Sequence, residues 1–249
     1  MRLTEKVALI TGGARGIGAA LAKGFALEGA MVALNYSVSC TEAQNVVAEI
    51  VAKDGRAMAV QADIADLRQQ DSMIQQVLAE FGRIDILVNN AAIEKRVPAI
   101  DASPADWDRI FDVDLKGPFF LSQKVARIMR KQGGGAVLNI GSVHDQRAHR
   151  NNSLYTIAKG GIKLMTRNLA LEWAEFNIRV NSLSPGAILT DINRTVLADD
   201  GYRKQTLAQI PLGRIGEASE LVAAAVLLVS DEGSYITGTT LYVDGGLLL

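Results

Sequence analysis

Cysteine is almost missing from this chain. Cys40 is the only one, so no disulfide can close within the chain, and paired-cysteine zinc sites, attached haem and iron–sulfur clusters have no ligands to use; no metal is expected. An excess of charge of either sign is missing too. The formal net charge is -1 with both signs scattered, which leaves no basic stripe for nucleic acid or anionic lipid. No apolar run approaches the roughly 20 residues of a membrane span. The longest, LVAAAVLLV at 221–229, follows the polar EASE as a buried helix would. The N-terminal MRLTEKVALI has no long apolar region with a cleavage site, so no secretory signal is expected. These absences predict a soluble cytoplasmic protein with a small-molecule partner.

What is present is an alternation. Short apolar, β-rich runs recur at KVALI, MVALNY, AMAVQ, DILVN, AVLNIG, RVNSLS and TLYV, most of them separated by stretches of helical periodicity. Strands that are apolar on both faces imply a parallel sheet covered on both sides, and right-handed crossovers then give a doubly wound α/β fold of about seven strands. No linker or repeat divides the 249 residues, so one domain spanning 1–249 is expected. The stretch 186–212, GAILTDINRTVLADDGYRKQTLAQIPL, is too long for an ordinary connection and falls after the sixth strand. Long segments there are often lids over a ligand.

Two local patterns carry chemistry. TGGARGIG at 11–18 follows the first strand, where a helix N-terminus would offer unpaired N–H groups and a positive dipole to a pyrophosphate. Gly12, Gly16 and Gly18 allow the turn, a close approach of ligand and close helix packing. Their spacing, G-x-x-x-G-x-G, differs from the G-x-G-x-x-G dinucleotide fingerprint, and a purely structural turn stays open on this stretch alone. The second pattern is Ser142, at the end of AVLNIG, followed by a helix on which Tyr155 and Lys159 share a face four residues apart. A lysine one turn from a phenol stabilises the phenolate, which brings tyrosine nearer to usefulness as an acid or base. Chance placement of Tyr and Lys on a solvated helix is the competing reading.

The order TGGARGIG, NNAA, Ser142, YTIAK, RVNSLSPG and ITGTTLYVDGG resembles the short-chain dehydrogenase/reductase family from end to end. The resemblance implies a Rossmann-like NAD(P)-dependent oxidoreductase. It makes Tyr155 the general acid/base, Lys159 the group that lowers its pKa and holds the nicotinamide ribose, and Ser142 the residue that positions the substrate's oxygen. Arg15, Gly16, Ile17 and Gly18 become part of the coenzyme loop, Asp63 and Ile64 adenine contacts, and Asn89 and Ala91 neighbours of the adenosine ribose. Ile188 and Thr190, after Pro185 and Gly186, match residues that hold the carboxamide and phosphates.

There are two departures from the family pattern. N-N-A-G ends in Ala92, a small change. The family's catalytic asparagine, expected within the helix WDRIFDVDLKGPFF, is replaced by Asp114, whose charge would favour protonated Lys159. The end of the second strand, LNYS, lacks the carboxylate that would repel a 2′-phosphate; with Tyr36, Ser37 and Arg15 nearby, NADP is expected ahead of NAD. Stretches such as LNYS, GSVHD, PGAILTDIN and IPLGRIGE resemble the family's sugar 1-dehydrogenases, and Glu94, His144 and Asn193 would then meet sugar hydroxyls. A ketone or 3-oxoacyl-thioester reductase is the alternative, with Arg96, Arg147 and Arg150 suiting an acyl-carrier partner. A coenzyme-sensing protein without catalysis is disfavoured by the retained Tyr155 and Lys159. The family is mostly tetrameric, and the helix with Gly160 and Gly161 and the C-terminal TTLYVDGGLLL resemble its subunit contacts.

Overall fold

In the computed structural model, which describes residues 1–190 and 199–249, every expected apolar run becomes a strand. These are β1 (Val7–Ile10), β2 (Met31–Tyr36), β3 (Ala57–Gln61), β4 (Ile86–Asn89), β5 (Gly135–Ile140), β6 (Ile178–Pro185) and β7 (Thr240–Val243). All pairs are parallel and the order is β3-β2-β1-β4-β5-β6-β7. The chain winds outward from β1 to β3, returns to β4 and winds the other way, so a crevice opens at the strand C-termini between β1 and β4.

Two-residue periodicity splits the strands from β1 to β6 between two cores. In β1, Ala8 and Ile10 join one cluster with α1 (Gly16–Leu27), α2 (Cys40–Val51) and α8 (Val222–Val229), while Val7 and Leu9 join the other with α3 (Leu67–Phe81), α5 (Gly117–Gln132) and α6 (Ser153–Trp173). The run at 221–229 is therefore a buried helix, as its context suggested. Among the described residues, no helix is long and apolar enough to cross a membrane.

The stretch expected as one helix around Asp114 is broken. It contains α4 (Pro104–Phe111), a π turn at Asp112–Lys116, and α5, with the Gly117 N–H donating to the Asp112 carbonyl. Pro118 has no N–H to give to the Asp114 carbonyl, so the α ladder cannot run through this point. Buried Gln70 donates to the Gly117 carbonyl at 3.0 Å and the Ile64 carbonyl at 2.7 Å, tying the π turn to the end of β3. α7 (Asp200–Leu207) lies in the stretch expected as a lid.

Candidate active site

The glycine loop is built from both sides of the crevice. Gly12 and Gly16 have positive φ, +62° and +52°, which glycine adopts without strain. A Cβ on Gly18 would meet the Gly12 carbonyl at 2.3 Å, so glycine there lets α1 pack on its own entry turn. Thr11 Oγ1 accepts the N–H groups of Asn90 (3.0 Å) and Ala91 (3.1 Å), while Asn90 Nδ2 donates to the carbonyls of Thr11 (2.9 Å) and Gly12 (3.0 Å). Asn35, at the end of β2, accepts the Gly12 N–H at 3.4 Å and donates to the Ala62 carbonyl at 2.9 Å. Neither Asn35 nor Asn90 was picked out from sequence. The NN pair was the available signal, and its second member holds the loop.

This loop forms one end of a cleft of about 1100 Å³ that runs over the strand C-termini. α1 starts at the loop without a side-chain cap. A helix N-terminus at the end of a glycine cradle, in a cleft of this size, fits the pyrophosphate of a dinucleotide. Arg15, Gly16, Ile17, Tyr36, Ser37, Asp63, Ile64 and Ala91 line this half, as do Pro185, Gly186, Ile188 and Thr190, and a Cβ on Gly16 would lie 3.4 Å from Thr190 Cγ2. No carboxylate ends β2, and Tyr36 donates its hydroxyl to Cys40 Sγ at 3.4 Å. Ser142, Glu94, His144, Tyr155 and Lys159 line the other half, as do Tyr202 and Gln209 from the remainder of 186–212. Asn193 lies outside the described residues.

Three expected residues do not face the cleft. Gly18 packs inside α1 against the loop. Asn89 points the other way from Asn90, because consecutive strand residues alternate faces; it donates to Ser122 Oγ and Asn139 Oδ1, both at 2.8 Å. Asp114 stands behind Lys159, its side chain 0% exposed, and accepts the Ile93 N–H at 2.9 Å.

The reactive cluster depends on two supports. Ser142 caps the turn Val143–Asp145, accepting the His144 N–H at 3.2 Å. That turn is pinned by Asp145, which accepts hydroxyls from Tyr242 (2.7 Å) and Ser184 (3.1 Å) on β7 and β6. α6 brings in Tyr155, which lines the cleft with Ser142, and Lys159, whose ammonium lies 5.3 Å from the Tyr155 ring centre and donates to the Ile140 carbonyl at 3.2 Å. The Lys159 ammonium is 3.9 Å from Asp114 Oδ2.

Electrostatics here differ from the simple expectation. Desolvation pushes the Tyr155 hydroxyl above its ordinary value, Asp114 and Glu94 add to the rise, and the hydrogen bond with Ser142 pulls it back. Lys159 is brought down by desolvation and partly restored by Asp114. Burial carries Asp114 up to about 6 against the pull of Lys159. The lysine does not bring the phenol down because desolvation dominates and the neighbouring carboxylates add to the rise.

A dinucleotide cradle and a Ser–Tyr–Lys cluster in one cleft of a parallel doubly wound sheet define a nicotinamide-coenzyme oxidoreductase. Residues 12–248 match the family model described as enoyl-(acyl carrier protein) reductase. The chain is 38% identical over 248 residues to 3beta-hydroxysteroid dehydrogenase 1 of Eggerthella lenta, covering 99% of this chain and 95% of that one. It is 39% identical over 254 residues to glucose 1-dehydrogenase 2 of Bacillus subtilis, covering 99% and 96%. A gluconate 5-dehydrogenase from Burkholderia cenocepacia, solved with NADP and tartrate, superposes with a TM-score of 0.94 at 36% identity over 99% of this chain and 96% of that one. The protein belongs to the short-chain dehydrogenase/reductase family.

Proposed function

We propose that this protein is an NADP-preferring dehydrogenase that interconverts a secondary alcohol and its carbonyl on a sugar or sugar-derived substrate, the aldose 1-position being the first expectation. The observation that carries this reading is that Ser142, Tyr155 and Lys159 meet in the cleft that begins at the glycine loop. Bound there, the nicotinamide supplies the acceptor or donor of a hydride. The chain's own work is to move the proton: Ser142 orients the substrate oxygen, the Tyr155 phenolate takes its proton in oxidation, and the Tyr155 phenol gives it in reduction. Lys159 holds positive charge beside the phenol and the nicotinamide ribose. Arg15 and Ser37, with no carboxylate at the end of β2, favour a 2′-phosphate. Glucose and gluconate dehydrogenases among the relatives support the sugar class.

A ketone or 3-oxoacyl-thioester reductase is the second reading, favoured by Arg96, Arg147 and Arg150 along the cleft and by the matching family description. The remainder of 186–212 forms part of a lid, with Tyr202 and Gln209 on the cleft wall. The protein works as a cytoplasmic homotetramer; apolar Ile157, Leu164 and Leu171 repeat every seven residues on the exposed face of α6.

The test follows nicotinamide absorbance with NAD⁺ and NADP⁺ against aldoses, aldonates and simple secondary alcohols, and the reverse reaction against ketones and oxoacyl thioesters. Coenzyme reduction by a sugar, faster with NADP⁺ and lowered roughly a hundredfold or more in Tyr155→Phe, is the expected outcome. Turnover of thioesters but of no sugar would favour the second reading.

A further inference from the structure

The geometry points to a substrate that carries a carboxylate, bound by Arg147 while its carbinol sits at Ser142 and Tyr155. This deepens the oxidoreductase reading above and rests on it. The first observation is a charge inventory of the cleft. The acids among its described lining residues are Asp63 and Glu94, and each already has a guanidinium: Arg109 at 3.2 Å and Arg96 at 2.8 Å. Glu94 also accepts from Asn152 Nδ2 at 3.0 Å, on the same Oε1 that takes Arg96. Lys159 faces Asp114. Arg147 is different, because its guanidinium is fixed by two neutral acceptors, Gln209 Oε1 at 2.9 Å and the Leu247 carbonyl at 3.3 Å, and no carboxylate is paired with it among the described residues.

The second observation is how firmly that cation is placed. The Arg147 carbonyl accepts the Nδ1–H of His144 at 3.1 Å, and the guanidinium is held by the segment after α7 and by the C-terminal strand's extension, so backbone and guanidinium are both anchored before any ligand arrives. A half-buried guanidinium without a counter-ion leaves N–H donors for a planar anion, the pairing for which its fork geometry is suited. The flat fork of the guanidinium matches the two coplanar oxygens of a carboxylate. Desolvation lowers the His144 pKa, and because a carbonyl can only accept, the neutral ring carries its proton on Nδ1. Nε2 is left as an acceptor, with no partner among the described residues. The cleft thus offers a cation for the acid group, an acceptor for a hydroxyl, and the Ser142–Tyr155 pair for the reacting oxygen, which is the pattern of a polyhydroxy acid.

Calorimetric titration of the NADP⁺-saturated protein with gluconate, with uncharged gluconamide and with glucose 6-phosphate tests the inference. Gluconate should bind at least roughly tenfold more tightly than gluconamide, and Arg147→Gln should erase the difference while Arg147→Lys retains part of it. Thermal melts check that the variants fold, and Arg147→Lys carries the test if Arg147→Gln does not. Equal binding of acid and amide, a preference that survives Arg147→Gln, or tighter binding of the phosphate ester would overturn the inference. Hydride exchange with neutral sugars alongside such a result would leave the oxidoreductase reading intact. Arg147-dependent gluconate binding, with no hydride exchange on any substrate, would keep the anion site and remove the oxidoreductase reading.

Discussion

The side chain with the clearest thermodynamic signature is Asp114. Burial raises it from 3.8 to about 6, so between those values the folded chain keeps a proton that the unfolded chain has released. Its contribution to folding is therefore fully present below about pH 4 and is lost as the pH rises through about 6. The whole span is on the order of 3 kcal/mol, from roughly 1.4 kcal/mol per unit. Asp114→Asn removes this titration. Urea unfolding should show the variant gaining stability relative to the parent as the pH goes from about 4 to about 7, and a constant difference across that range would contradict the assignment. At this scale, Ser142, Tyr155 and Lys159 were legible because their types and spacing suit proton transfer. Asn90, Asn35 and Asp145 were not, because each acts on a backbone or hydroxyl group brought near by another part of the chain.

Elements show where local rules meet tertiary ones. The strands were legible because a strand buried on both faces has to be apolar at every position, and α6 because Ala158, Ile162, Met165 and Leu169 recur at helical spacing. The π turn was not. Its cause is partly local, in Pro118, and partly distant, in the close approach of α5 to the end of β3. A Cβ on Gly117 would meet the Ile64 carbonyl oxygen at 2.6 Å and the Asp112 carbonyl oxygen at 2.8 Å, both backbone atoms. Gly117→Ala should therefore cost about 1–3 kcal/mol in urea unfolding. It should also weaken coenzyme binding, since Ile64 lines the coenzyme half of the cleft. Parent-like stability would mean that the turn can shift without strain.

At the scale of the molecule, α6 has two faces with different tasks. Its inner face carries Ala158, Ile162 and Leu169 into the core and Tyr155 and Lys159 to the cleft. Its outer face exposes Ile157, Leu164 and Leu171, the last at 81%, and a groove lined by Phe119, Phe120 and Met165 runs beside it. Leaving these in water is costly, and symmetric pairing of copies would cover them. Light scattering should give a mass four times the 26.6 kDa of the chain, and Leu164→Glu with Leu171→Glu should reduce it. A monomer at micromolar concentration would exclude the tetramer.

The sequence by itself determined the doubly wound sheet, the glycine loop and the placing of Tyr155 and Lys159 one turn apart on one helix face, because these rest on periodicity, on glycine's backbone freedom and on residue spacing within one helix. Only the tertiary structure decided which of Asn89 and Asn90 faces the loop, that Asp114 lies buried behind Lys159, and that among the described residues Arg96 and Arg109 meet a carboxylate while Arg147 meets none. Those outcomes depend on which distant segments arrive at the same place. Burial and charge compensation are sums over all neighbours, and a linear pattern does not contain them.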